Sequence, residues 1–130
     1  HTKALILGTG GAAKAVQYVL KKLGITYLIV SRSKQENNSL ITDYTSLSAE
    51  IMKEYSIDIN TTPAGMYPNE NTCPDIPYHL ITTRHYLYDL VYKPAKTVFL
   101  QKGDAVGATT KNGYDMLIMQ AEASWDIWNS

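Results

Sequence analysis

Cysteine, net charge and long apolar runs are all scarce in this chain of 130 residues, and each scarcity closes off a class of function. Cys73 is the only cysteine, which leaves no disulfide framework and no cysteine-based metal site. Twelve Lys and Arg balance twelve Asp and Glu, for a formal net charge of zero. A nucleic-acid binder needs a basic excess or a basic cluster interleaved with aromatics, and neither is present. Lys21-Lys22, the only adjacent basic pair, falls near an expected helix C-terminus, where cations are favoured anyway. No run approaches the roughly 20 apolar residues that span a bilayer. The first residues also lack the charged-then-apolar layout of a secretory signal, so a reducing cytoplasm is the expected compartment. His1, His79 and His85 stand without an acid or nucleophile at a suggestive spacing and read as surface or packing residues. No metal site is expected.

What is present is an ordinary globular composition, 45% apolar and 18% charged, with enough length for one domain. The chain opens almost directly on an apolar strand around Lys3 to Leu7, an abrupt start that suggests a preceding segment. Gly8-Thr9-Gly10-Gly11-Ala12-Ala13 follows, and then a helical pattern to about Leu23 with Val16, Val19, Leu20 and Leu23 on one face. Strand, glycine turn and helix is the context that a dinucleotide-binding fingerprint requires. Gly8 permits the tight turn, Gly10 the close approach of a pyrophosphate, and Ala13 the packing of helix on strand. The helix N–H groups and dipole would hold the phosphates. Gly24 sits where a left-handed cap ends the helix.

Tyr27-Leu28-Ile29-Val30 is the second strand, and its tip bears on the choice of nicotinamide cofactor. NAD-preferring domains place an acid there for the ribose 2′-hydroxyl. This tip reads Ser31-Arg32-Ser33-Lys34, with no acid and with a guanidinium suited to a 2′-phosphate. The reading therefore favours NADP. Further on, the pattern predicts a weak third strand over 40–44 and a helix capped by Ser48 through about Tyr55. A fourth strand is expected over 57–60, a brief helix over 77–81 and a fifth strand over 86–92. A short helix over 97–102, a sixth strand over 105–108 and a final amphipathic helix after Asn112-Gly113 complete it. The fold class is α/β: a Rossmann-type doubly wound, mainly parallel six-stranded sheet with helices on both faces, residues 1–130 forming one domain.

Five stretches, in order, resemble motifs of the shikimate dehydrogenases. They are Gly8 to Ala12, Ser31-Arg32-Ser33, and Asn60-Thr61-Thr62-Pro63-Ala64-Gly65-Met66. Tyr88-Asp89-Leu90-Val91-Tyr92-Lys93-Pro94 follows, and then Asn112-Gly113 through Met116-Leu117 and Gln120-Ala121. The likeness is to the family's C-terminal, NADP-binding domain. It implies an enzyme that reversibly reduces 3-dehydroshikimate to shikimate with NADPH, on the route to chorismate and aromatic amino acids.

The resemblance also implies roles for matching positions. Gly8, Thr9, Gly10, Gly11 and Ala12 would hold the pyrophosphate, and Ser31, Arg32 and Ser33 the 2′-phosphate. Asn60 and Thr61 would line the cofactor crevice, with Leu90 and the backbone of Gly113 near the nicotinamide. Tyr92 and Gln120 would reach the substrate. Where the family often carries a second basic residue beyond the second strand, this chain has Glu36, with Lys34 as the available substitute. A weaker NADP preference is therefore expected. The family's catalytic Lys and Asp belong to an N-terminal substrate domain, so no catalytic residue is expected within these 130 positions and the chain alone should be inactive. Three alternatives stand beside this reading. One is an NAD-using quinate/shikimate dehydrogenase domain, another a non-catalytic nucleotide-binding module. The third, a methyltransferase, gains no support from the stretch 60–66.

Overall fold

The computed structural model describes residues 3–32, 40–65, 70–90 and 96–113. Nine principal elements run through them: β1 (Lys3–Leu7), α1 (Gly11–Leu23), β2 (Thr26–Ser31), β3 (Ile41–Asp43), α2 (Ala49–Glu54), β4 (Ile57–Asn60), β5 (Tyr86–Asp89), α3 (Val98–Ala105) and β6 (Thr109–Asn112). The strands form one sheet in the order β3-β2-β1-β4-β5-β6. Every neighbouring pair is parallel, so the sheet is parallel throughout rather than mainly so.

Both faces of the sheet are covered, which is why β1 is apolar at every buried position. Ala4 and Ile6 face α1 with Ile57, Ile59 and Tyr88, against Ala13, Val16 and Leu20 of the helix. Leu5, Leu7 and Leu87 face the opposite layer, built from Met52 of α2 and Phe99 and Leu100 of α3. The period-two alternation of strand side chains sends Asp58 and Asn60 to that second face, between the rows of β1 and β5. Gly24 ends α1 in the left-handed region at φ 74°, and Ser48 caps α2 by accepting from the Ile51 N–H.

The structure corrects several expected boundaries. The sixth strand lies at Thr109–Asn112, not over 105–108, because α3 continues to Ala105 and a turn occupies the residues between. As an edge strand paired only with β5, β6 needs little apolar character, and its Thr-Thr-Lys-Asn sequence gave no strand signal. The helix over 97–102 begins one residue later because Thr97 is its cap: the Thr97 hydroxyl accepts from Leu100 N–H at 3.3 Å. The segment over 77–81 is a single 3-10 turn, Tyr78–Leu80. β3 stops at Asp43 because that carboxylate turns to cap the 3-10 turn Tyr44–Ser46. β5 ends at Asp89, since Leu90 beyond it already bends out of the strand expected over 86–92; Tyr92, and the final helix expected after Gly113, lie outside the described residues. Among the described residues no helix is long and apolar enough to cross a membrane, and no cluster of acidic, His or Cys side chains could hold a metal ion.

Candidate functional site

The strand order reverses direction between β1 and β4, and the loops leaving their C-terminal ends meet there. In parallel sheets of this kind the crevice at such a point is where ligands bind. Gly8 enters the turn after β1 at φ 117°, and its N–H donates to Val30 O at 2.9 Å. A Cβ on Gly8 would lie 2.6 Å from Thr61 Oγ1 and 3.1 Å from Thr62 Cγ2, so the two loops touch at a position only glycine fills. Thr61 fastens them further: its N–H and its hydroxyl both donate to Leu7 O, at 2.9 and 2.6 Å.

Past that contact the turn opens. Gly10 is the N-cap of α1 and offers no side-chain cap, and the first helical turn carries no acid. A Cβ on Gly10 or Gly11 would meet nothing within 4 Å, and both residues are exposed with Thr9 and Ala12. The leading N–H groups of a thirteen-residue helix therefore face an open, uncapped space carrying the positive end of its dipole. The residues present fit a pyrophosphate there: donors, room, and no acid in the first helical turn to repel it.

One strand over, β2 ends at Ser31, followed by the exposed Arg32. Burial pushes the Tyr44 hydroxyl above its ordinary range, and the nearby Arg32 charge partly offsets that. Asp43, in register with Ser31 on β3, is an acid near this tip that strand patterning did not reveal. Its carboxylate accepts from Ser46 N–H at 2.9 Å, the Ser46 hydroxyl at 2.6 Å and the Thr45 hydroxyl at 2.9 Å. Ser33 and Lys34 lie outside the described residues.

On the other side of the crevice a buried polar chain ties β4, β5 and α3 together. Asn60 ends β4 fully buried; its Oδ1 accepts from Thr62 N–H at 3.0 Å and the Thr62 hydroxyl at 2.6 Å. Its Nδ2 donates to Ala64 O at 3.4 Å and across 29 positions to Asp89 Oδ1 at 3.2 Å. Asp89, also buried, accepts at Oδ2 from the Thr97 hydroxyl at 2.6 Å. The backbone repeats the linkage: Leu90 N–H donates to Asn60 O at 3.1 Å, and Gly113 N–H to Asp89 O at 2.8 Å. Asn60 and Thr61 thus stand at the crevice edge with their polar atoms engaged in holding its loops, and Leu90 and Gly113 flank the same end of the sheet. Thr62 and Thr97 are members that motif reading passed over, Thr97 because a helix-capping threonine looks local. Gln120, like Tyr92, lies outside the described residues.

The opposite end of the sheet is built differently. His85 precedes β5 and is buried; its Nδ1 accepts from Thr82 N–H at 3.0 Å, so Nε2 carries the proton and donates to Met52 O at 2.7 Å. It is a packing residue, as expected. A pocket of about 420 Å³ beside it is lined by Ser56, Thr82 and Arg84 among others, far from the glycine turn along the strands.

A parallel six-stranded sheet with a glycine turn and bare helix N-terminus at its switch point defines a Rossmann-type α/β fold. No family model matches the chain. It is 35% identical to a shikimate dehydrogenase (NADP(+)) of Carboxydothermus hydrogenoformans over 97% of its own length and 49% of that protein's. The shikimate 5-dehydrogenase fused to chorismate mutase from Clostridium acetobutylicum superposes with a TM-score of 0.73 at 31% identity, over 97% of this chain and 47% of that one. The Thermus thermophilus shikimate 5-dehydrogenase, solved with NADP(H) and shikimate, gives 0.70 at 28% identity over 96% and 48%. The chain is a homologue of the shikimate dehydrogenases and spans about half the length of the curated relatives it matches.

Proposed function

We propose that residues 1–130 form the NADP-binding domain of a shikimate dehydrogenase acting in the cytoplasm. The open, uncapped start of α1 at the switch point, with Gly8 locked against Thr61, is the observation that carries this reading. The N–H groups from Thr9 to Ala12 would receive the pyrophosphate oxygens, and the absence of side chains at Gly10 and Gly11 lets them approach. Arg32, with Ser31, Ser33 and Lys34, would hold the 2′-phosphate. An exposed guanidinium at the tip of β2, with the nearby Asp43 carboxylate accepting three hydrogen bonds in its own turn, suits a phosphate better than a bare ribose hydroxyl. Leu90 and the backbone at Gly113 would border the nicotinamide, with Asn60 and Thr61 holding the crevice walls.

The chemistry NADP(H) supplies when bound is reversible hydride transfer, interconverting 3-dehydroshikimate and shikimate. Tyr92 and Gln120 would orient the polyhydroxylated acid through hydrogen bonds without donating a proton in the reaction. The family's catalytic Lys and Asp have no counterpart among the motifs matched here, so this polypeptide alone is expected to bind NADPH and turn nothing over. Half of the groups that position the reactants would come from a substrate domain.

Calorimetric titration with NADPH and NADH tests the reading. NADPH should bind more tightly, and Arg32→Ala should weaken NADPH about tenfold, the worth of one charge-assisted contact, while leaving NADH within about twofold. Equal affinity for the two nucleotides, or equal losses on substitution, would remove Arg32 from the phosphate.

A further inference from the structure

The hydrogen-bonded chain Thr62–Asn60–Asp89–Thr97 begins beside the glycine turn and ends at the cap of α3. Thr62 belongs to the loop whose side chains close over Gly8, on the pyrophosphate side of the crevice. Asp89 ends β5, and its carbonyl receives Gly113 N–H while Asn60's receives Leu90 N–H. Leu90 and Gly113 are the positions on the nicotinamide side. We propose that Asp89 is a positioning residue that, through Asn60 and Thr97, sets the nicotinamide side of the crevice relative to the pyrophosphate turn. This rests on the cofactor reading above.

The physical case is that parallel strands hold each other only by backbone ladders, which leave the loops beyond their ends free to splay. β4 and β5 are only four residues each, so their ladder ends at the Asn60–Asp89 pair. At that pair the carboxylate takes one donor from the neighbouring strand, Asn60 Nδ2 at 3.2 Å, and one from the cap of α3, the Thr97 hydroxyl at 2.6 Å. Asp89 and Thr97 are each 1% exposed and Asn60 is fully buried. With water excluded, no solvent can replace a lost partner, and the arrangement is stiff. Gly65 adds a steric stop: a Cβ there would lie 3.3 Å from Thr97 Cβ, so the loop after β4 is packed directly on the same threonine. A shift of Asp89 therefore moves both walls of the nicotinamide side, while the entry to the glycine turn remains held by the Gly8 N–H on Val30 O.

The test compares two nucleotides on the full chain: NADPH, and 2′-phospho-ADP-ribose, which has the same phosphates and adenosine but no nicotinamide. Asp89→Asn should weaken NADPH about tenfold and leave 2′-phospho-ADP-ribose within about twofold, and the fluorescence of bound NADPH should shift toward that of the free cofactor. Thr97→Val, which keeps the Asp89–Asn60 bond, should give the same pattern with about a threefold loss, and Thr97→Ser should restore wild-type binding. Equal losses for both nucleotides, or no loss for either in folded variants, would overturn the proposal while leaving the cofactor reading intact. A wild-type chain that binds neither nucleotide would overturn both.

Discussion

Asp58 and Asp89 lie on neighbouring central strands, face the same layer of the core, and are treated in opposite ways. Asp89, at the C-terminal end of β5, accepts hydrogen bonds from Asn60 and Thr97. Asp58, in the middle of β4, is fully buried in register with Leu5 and Leu87, and neither of its oxygens has a hydrogen-bond partner among the described residues. Desolvation holds its carboxyl well above the ordinary value of 3.8. Polar groups at the strand ends are thus built into a network that shapes a crevice. The one at mid-strand sits without a partner among the described residues, where the apolar layer favours its protonated form.

That contrast sets the sign and size of the substitutions that would break it. Asp89→Ala takes one acceptor from a buried amide and the acceptor of a buried hydroxyl, at a cost of about 3 kcal/mol in urea unfolding. A loss below about 1 kcal/mol would mean that the network closes without its carboxylate. Asp58→Asn works the other way and more gently: it removes the group that must hold a proton in the folded state, so the variant should gain on the wild type as pH rises. The sign follows from the raised value. The folded state keeps the Asp58 proton where the unfolded chain releases it, so the wild type is least penalised at acidic pH. It then loses stability as pH rises above 3.8 toward the folded-state value. The difference between variant and wild type should therefore widen with pH, by up to about 1.4 kcal/mol per unit. Parallel stability profiles for the two proteins would show that Asp58 is not held protonated.

The same contrast explains how much could be read from the sequence. The first helix was legible because its apolar face, its bare glycine start and Gly24 are all local signals. The glycine turn was legible for the same reason, and it opens onto free space. What escaped was long-range. Asn60 and Asp89 are 29 positions apart and meet only because β4 and β5 pair in register. Sequence reading therefore gave Asn60 to the crevice lining, where its amide is spent on Thr62, Ala64 and Asp89. Asp43 was hidden likewise, since its closeness to Ser31 depends on a three-residue strand. The sixth strand was misplaced because its polarity reflects an edge, and edges are a property of the assembled sheet.

Amide chemical shifts followed during titration with NADPH test the central claim most directly. The account predicts that the largest changes fall on Gly8 to Ala13, Arg32, Thr61, Leu90 and Gly113, all at the C-terminal edge of the sheet. Asp58, Ser56, Arg84 and His85 should stay where they are. Changes centred on the pocket beside His85, or none at the glycine turn, would contradict it.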